Sequence, residues 1–327
     1  MSNSLTRVLF GTLFALAVGG LLWLDAAVAS ALSPGGLIVM PRSGGFLRSI
    51  PILRVLSPGL VIVIPLTLLA VLAAAECLSL CRAAGSATPR TCSVIATAIL
   101  VPVIWLATLY RHDSEHLVFW SMVALLVLLV PAFADQVHRG DLSASLCAIG
   151  NSVFCIAYVG LPMAAMLVLR LVYGVGWLAV FLAAAKLTDI GAYMIGSAVG
   201  RHPLAPVISP RKTLEGAAGG LLFGVAGSVL AGLLLRSFNA LPNEAGVGVF
   251  AAFGLCIGVV AQLSDLAESV LKRSASAKDS ARSVPGFGGV LDVVDSLLFS
   301  APVAVTFLCV LYWFYPAMVA GHVQAAG

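Results

Sequence analysis

The chain has 327 residues, of which 61% are hydrophobic and only 10% charged, with a mean hydropathy of +1.08 and a formal net charge of +4. A soluble domain carries about 25% charged residues, so a water-soluble globular protein is excluded. Apolar runs of about 18 residues or more recur along the chain, each long enough to cross a ~30 Å hydrocarbon core, which makes this a polytopic integral membrane protein.

Nine spans are expected, near 7–30, 56–80, 92–110, 116–134, 144–169, 175–199, 214–236, 246–270 and 290–319. Backbone groups in lipid must be satisfied within their own segment, so the runs are read as helices and the fold class as all-α. The first, "RVLFGTLFALAVGGLLWLDAAVASA", has a basic start, an apolar stretch and an Ala-x-Ala pattern that could pass for a signal peptide. A retained first span is the expectation. Residues 1–140 are taken as scaffold helices and 141–327 as the catalytic region.

With nine spans, the side shared by the N-terminus holds eleven Lys and Arg and the opposite side six. The excess of cations belongs in the cytoplasm, which places the N-terminus there and the C-terminus outside. The aromatic run Tyr312-Trp313-Phe314-Tyr315 suits the outer interface. The seven cysteines fall mostly inside spans, with no second pair or histidine near Cys77 and Cys81 to complete a zinc site. They are read as buried, inert thiols.

An ionisable side chain inside a span costs about 2.5–3.5 kcal/mol on insertion scales, so each one needs a reason. Asp25, near a span end, is read as an interfacial carboxylate, and Glu76 is open between that and a role on the cytoplasmic side. From residue 186 onward polar groups multiply. Lys186 and Asp189 are three residues apart and can neutralise each other on one helix face. In "SPRKTLEG" (209–216), Ser209 fits an N-cap and Pro210 a first helical position. Arg211 and Lys212 then fall in the first turn, a conflict with the helix dipole that a bound anion such as phosphate would relieve. Plain positive-inside charge explains the same cations. Gly216, Gly220, Gly224, Ser228 and Gly232 follow at intervals of four, a small-residue stripe for close helix packing.

The eighth span ends in "AQLSDLAESVLKRSASAKDS", where Asp265, Ser269 and Lys272 line one face and Glu268 flanks it. The "PGFGG" turn leads into the ninth span, whose first turns place Asp292 and Asp295 on a common face. Hard divalent cations prefer carboxylate oxygens, and Mg2+ commonly takes one or two from protein, with water and substrate phosphate completing its shell. Asp265, Asp292 and Asp295 supply such a metal site, with Lys272, Arg273 and Lys278 beside it to neutralise polyphosphate. The residues alone thus point to a cytoplasmic-face site for a metal-bound phosphate compound acting on something in the membrane.

The stretch "SVLKRSASAKDSARSVPGFGGVLDVVDS" closely resembles the signature of the phosphatidate cytidylyltransferases, or CDP-diacylglycerol synthases. Ser269, Lys272, Arg273, Lys278, Asp279, Pro285, Gly286, Gly288, Gly289, Asp292 and Asp295 fall in register with it. "TDIGAYMIGSAVGR" and "SPRKTLEG" resemble two further segments of that family, so that close similarity covers about 186–300. The resemblance implies the reaction CTP + phosphatidate → CDP-diacylglycerol + pyrophosphate, with Mg2+ or another divalent cation as cofactor. The expected membrane is the inner membrane, with the site facing the cytoplasm and no nucleic acid as partner. It implies Asp265 and Asp292 as metal ligands supported by Asp295, and Ser269 and Lys272 on the reacting phosphates. Arg211, Lys212, Arg273 and Lys278 would neutralise phosphate or pyrophosphate, and Asp189 and Glu215 would shape the site or hold the nucleotide. A homodimer is implied by the resemblance and by the Gly216–Gly232 stripe. Three positions depart from the signature: Phe287 stands for its histidine, Val293 for the arginine between the paired aspartates, and Val284 is a neutral apolar change. Two other readings stay open, a CTP-dependent lipid or polyprenol kinase and a non-enzymatic transporter using Lys186 and Asp189.

Overall fold

Lipid offers a peptide group no hydrogen-bond partner, and most of the described backbone is helical. The structure is a computed structural model and describes residues 16–28, 59–86, 90–109, 145–281, 283–284 and 288–318, with isolated helical positions between 126 and 137. The expected span near 116–134, the segment 32–55, Arg282, and the turn residues Pro285, Gly286 and Phe287 lie largely or wholly outside the described residues.

The helices in chain order are α1 (Leu16–Val28), α2 (Leu60–Ala83), α3 (Arg90–Leu109) and α4 (Ser145–Cys155). A π-helical turn, Ile156–Gly160, joins α4 to α5 (Leu161–Val199). A two-stranded hairpin, β1 (Pro203–Ala205) and β2 (Ser209–Thr213), precedes α6 (Leu214–Ser237). The described chain ends with α7 (Val247–Ser274) and α8 (Val290–Phe314). Among the described residues, five helical runs are long and apolar enough to cross a membrane when 145–199 is counted as one. At 1.5 Å per residue that run would be roughly 80 Å long if straight, far beyond a ~30 Å core. Gly174, at φ 91° and ψ 170°, breaks it. An L side chain disfavours that conformation, and glycine supplies it. The break separates the two spans expected near 144–169 and 175–199.

α5 packs against α6, α7 and α8, and α6 lies against α7 as well. The small-residue stripe makes this possible. A Cβ on Gly220 would meet the Thr188 carbonyl at 2.8 Å, one on Gly224 would collide with the Thr188 hydroxyl, and one on Gly232 would meet the Phe250 ring at 2.5 Å. Ser228 donates to the Phe250 carbonyl at 2.7 Å. The stripe is therefore used within one chain and gives no support to a dimer. Trp177, Phe250, Phe253 and Phe307 fill the centre, with ring centroids 5.3–5.7 Å apart.

Three local expectations are corrected. Residues 209–213 form a strand, so Ser209 is no N-cap and Arg211 and Lys212 are not in a first helical turn. Pro203 pairs with Thr213 and Ala205 with Ser209, and the helix is capped instead by Thr213, whose hydroxyl accepts from Gly216 N at 3.1 Å. Strand pairing holds Ser209 four residues away from the first free N–H groups, whereas Thr213, extended and directly before the helix, has its hydroxyl within reach of them. Asp25 is fully buried, paired with Arg170 at 2.5 Å across α1 and α5, since a carboxylate inside the bundle needs a cation. Among the thiols, Cys77 and Cys155 are buried but Cys147 and Cys309 lie exposed on apolar helix surfaces.

Candidate active site

α7 carries Asp265, Glu268, Ser269 and Lys272 at i, i+3, i+4 and i+7, the spacing of one helix face. α8 faces it with Asp295. One carboxylate oxygen from each of Asp265, Glu268 and Asp295 lies within 4.8 Å of the others. Two lysines hold this cluster from its rim: Lys212 on β2 pairs with Asp265 at 2.7 Å, and Lys272 pairs with Glu268. Glu268 is fully buried, yet neither of its oxygens receives a hydrogen bond of good geometry, Lys272 touching it as an ion pair only. A desolvated carboxylate without donors is costly unless a cation completes it. Asp295 is held by its neighbours: its Oδ1 accepts from Ser296 N at 2.6 Å and its carbonyl accepts from the Ser264 hydroxyl.

Asp292 is placed differently. Its Oδ2 accepts from Gly289 N at 2.7 Å, Ser280 N at 2.9 Å and the Ser280 hydroxyl at 2.8 Å. Its Oδ1 accepts from Lys272 at 2.7 Å. Asp292 thus reaches back to cap α8 and is joined to the three-carboxylate cluster through Lys272, not as one of its members. Below it, Glu76 of α2 accepts from Val290 N, Leu291 N and the hydroxyls of Ser280 and Ser283 at 2.8–3.0 Å. Two carboxylates therefore satisfy the free N–H groups at the start of α8, where the helix dipole favours anions. The signature turn is closed by a bridge between Val284 and Gly288, the latter at φ 101°. A Cβ on Gly289 would collide with both Ser280 Oγ and Glu76 Oε2, which explains the second glycine of the pair.

The remaining expected residues are spread around this centre. Asp189 lies beside it on α5, linked to Ser296 of α8 at 2.8 Å. Ser269 is buried on α7 below the cluster. Glu215 makes its contacts with the turn before β1. It accepts from Arg201 N at 3.0 Å and His202 N at 3.2 Å and pairs with the His202 ring at 2.5 Å, so it fastens the turn before β1 to α6. Arg273 donates to the Ile208 carbonyl at 3.1 Å, tying the hairpin tip to the end of α7. Arg211 and Lys278 are exposed near this mouth. Glu268 and Glu76 are the residues the sequence reading under-weighted. The only local hint for Glu268 was its spacing between Asp265 and Lys272.

The model of the cytidylyltransferase family matches residues 43–311. This chain belongs to that family. It is 32% identical over 256 residues to the phosphatidate cytidylyltransferase of Staphylococcus aureus strain COL, covering 77% of this chain and 91% of that protein. Shorter, stronger similarities exist to the phosphatidate cytidylyltransferases of Synechocystis and Brucella suis. They are 46% identical over 123 residues and 51% over 114, covering 38% and 35% of this chain. In both cases the match spans only 40% of the relative's own length. Membership of this family favours neither the lipid-kinase reading nor the transporter.

Proposed function

We propose that this chain is a phosphatidate cytidylyltransferase, joining CTP and phosphatidate to give CDP-diacylglycerol and pyrophosphate. The observation that carries the reading is the cluster of half-buried Asp265 and Asp295 around buried Glu268, rimmed by Lys212 and Lys272. Around it Asp189, Asp265, Glu268, Asp292 and Asp295 oppose Lys186, Lys212 and Lys272. With all ionised, five negative charges against three positive leave two uncompensated, the charge of one divalent cation. The oxygen-only donor set and the donorless Glu268 suit Mg2+. When bound at Asp265, Glu268 and Asp295, such an ion would neutralise phosphate charge and polarise the attacked phosphorus.

In this reading a phosphatidate oxygen attacks the α-phosphorus of CTP, and the bond to the bridging oxygen of the β-phosphate breaks to release pyrophosphate. The attacking phosphate is already anionic near neutral pH, so Phe287 in place of histidine leaves the chemistry possible. Catalysis then rests on positioning and charge. Lys212 exchanges Asp265, and Lys272 exchanges Glu268, for phosphate oxygens, with Arg211, Arg273 and Lys278 receiving pyrophosphate at the mouth. Ser269 sits close enough along α7 to bind a reacting phosphate. Asp292 keeps Lys272 aimed, and Asp189 and Glu215 shape the walls.

The same reading places nine spans in the inner membrane, with the N-terminus and the site on the cytoplasmic side. The cations of the hairpin and of the α7 end support it. Residues 1–140 serve as scaffold, though Glu76 reaches from there into the 141–327 catalytic region. The homodimer that the resemblance implies must use a face other than the glycine stripe. The test uses sealed vesicles with phosphatidate and Mg2+, and CTP labelled either on cytosine or on the γ-phosphate. Cytosine label should enter the lipid, and γ-label should leave as pyrophosphate, only where the cytoplasmic face meets CTP. γ-Label in the lipid would sink the reading.

A further inference from the structure

Lys186 has no part in the chemistry above, yet a lysine within "FLAAAKLTD" of α5 carries the insertion cost of an intramembrane charge. Serving only to neutralise Asp189, it would face Asp189 alone. That contact, 3.3 Å, is instead the longest of three. Lys186 Nζ donates to the Val293 carbonyl at 2.8 Å and to the Ser296 hydroxyl at 2.9 Å, both on α8. The Ser296 hydroxyl in turn donates to Asp189 Oδ2 at 2.8 Å, and Ser296 N donates to Asp295 Oδ1 at 2.6 Å. An ammonium has three N–H donors, and all three are engaged, so none remains for a substrate phosphate. Lys186 therefore grips α8 on both sides of Asp295 from the neighbouring helix.

We propose that Lys186 is a positioning residue that fixes the turn Val293–Ser296 so that Asp295 meets Asp265 and Glu268 in cation-binding geometry. This rests on reading those three carboxylates as the cation site. The physical need is plain. Three carboxylates within 4.8 Å repel one another when no cation lies between them. Mg2+ tolerates little departure from octahedral geometry, and groups that orient metal ligands typically contribute about 10–100-fold in affinity. The Ser300 hydroxyl, donating to the Ser296 carbonyl at 2.6 Å, extends the same brace one turn further along α8.

The test is a titration of the purified full chain with Mn2+ and no nucleotide, following free Mn2+ by electron paramagnetic resonance, with thermal unfolding alongside. Lys186→Met should weaken Mn2+ binding about 10-fold or more. Ser296→Ala, which removes one hydroxyl, should weaken it in the same direction by a smaller factor. A lysine needed only for folding would lower the melting temperature and leave the affinity of the folded protein unchanged, and that result overturns the proposal. Where Lys186→Met does not fold, Ser296→Ala decides: wild-type affinity there overturns it equally. Absence of Mn2+ binding in the wild-type protein would remove the cation site itself and both readings with it.

Discussion

Glu76 and Glu268 are both buried carboxylates, at 7% and 0% exposure, but their surroundings differ in kind. Glu76 receives four hydrogen bonds and is satisfied by the start of α8 and the loop before it. Glu268 receives none. The first is an anchor, and the second, which has only the ion pair with Lys272, is the ligand of the proposed cation site. Hydrogen bonds to charged groups are worth about 1.5–3 kcal/mol each and do not add fully, so Glu76→Ala should cost about 3 kcal/mol or more. It should also loosen the loop that holds Asp292. Chemical unfolding in detergent would show it as a clearly lower midpoint, and a midpoint equal to the wild type would mean the anchor is not needed. Neither role was legible locally. The partners of Glu76 lie more than 200 positions away, and the burial of Glu268 depends on α8 packing across α7. What the sequence did show was the acidic pattern itself, because carboxylates are rare in so apolar a chain.

At the scale of elements, spans were easy to read and the pieces between them were not. Apolar length alone marked α2, α6, α7 and α8, and Gly174 breaks α5 where two spans were expected to part. The hairpin was missed because Ser-Pro before a charged pair satisfies helix-start rules as well as strand ones. Pairing with residues 203–205, a contact outside the motif, decided between them. The glycine stripe was read correctly as a packing device, and its neighbours give a graded test. Gly224→Val adds bulk against the Thr188 hydroxyl, with the Ala184 carbonyl 3.2 Å from the new Cβ. Overpacking of this kind costs about 1–3 kcal/mol. Gly150 lies inside α4 with nothing among the described residues within 4 Å of a new Cβ, so Gly150→Ala should gain about 0.5–1 kcal/mol from helix propensity. Thermal unfolding of the two variants in one detergent should move in opposite directions. A fall for both would mean the α4 surface is covered by something else.

For the molecule as a whole, the fold brings charge from distant segments to one end of an otherwise apolar bundle. α2 supplies Glu76, α5 supplies Lys186 and Asp189, the hairpin supplies Lys212, and α7 and α8 supply the carboxylates between them. In the proposed reading the packed helices hold the carboxylates in place and only the lysine tips change partner when phosphate charge arrives, the arrangement by which preorganised sites stabilise a transition state. The measurement that bears most directly on this account is metal-dependent transfer of cytosine-labelled CTP into lipid by Glu268→Gln beside the wild-type protein across a Mg2+ titration. A buried, donorless carboxylate that exists to hold a cation should, once neutral, lower turnover by about 100-fold, an effect of roughly 2.7 kcal/mol. The unfolding midpoint should stay close to that of the wild type, because Lys272 keeps Asp292 as its partner when Glu268 becomes neutral and a buried carboxylate without hydrogen-bond donors is itself costly. Wild-type turnover with an unchanged Mg2+ dependence in a folded Glu268→Gln protein would contradict the account at its centre.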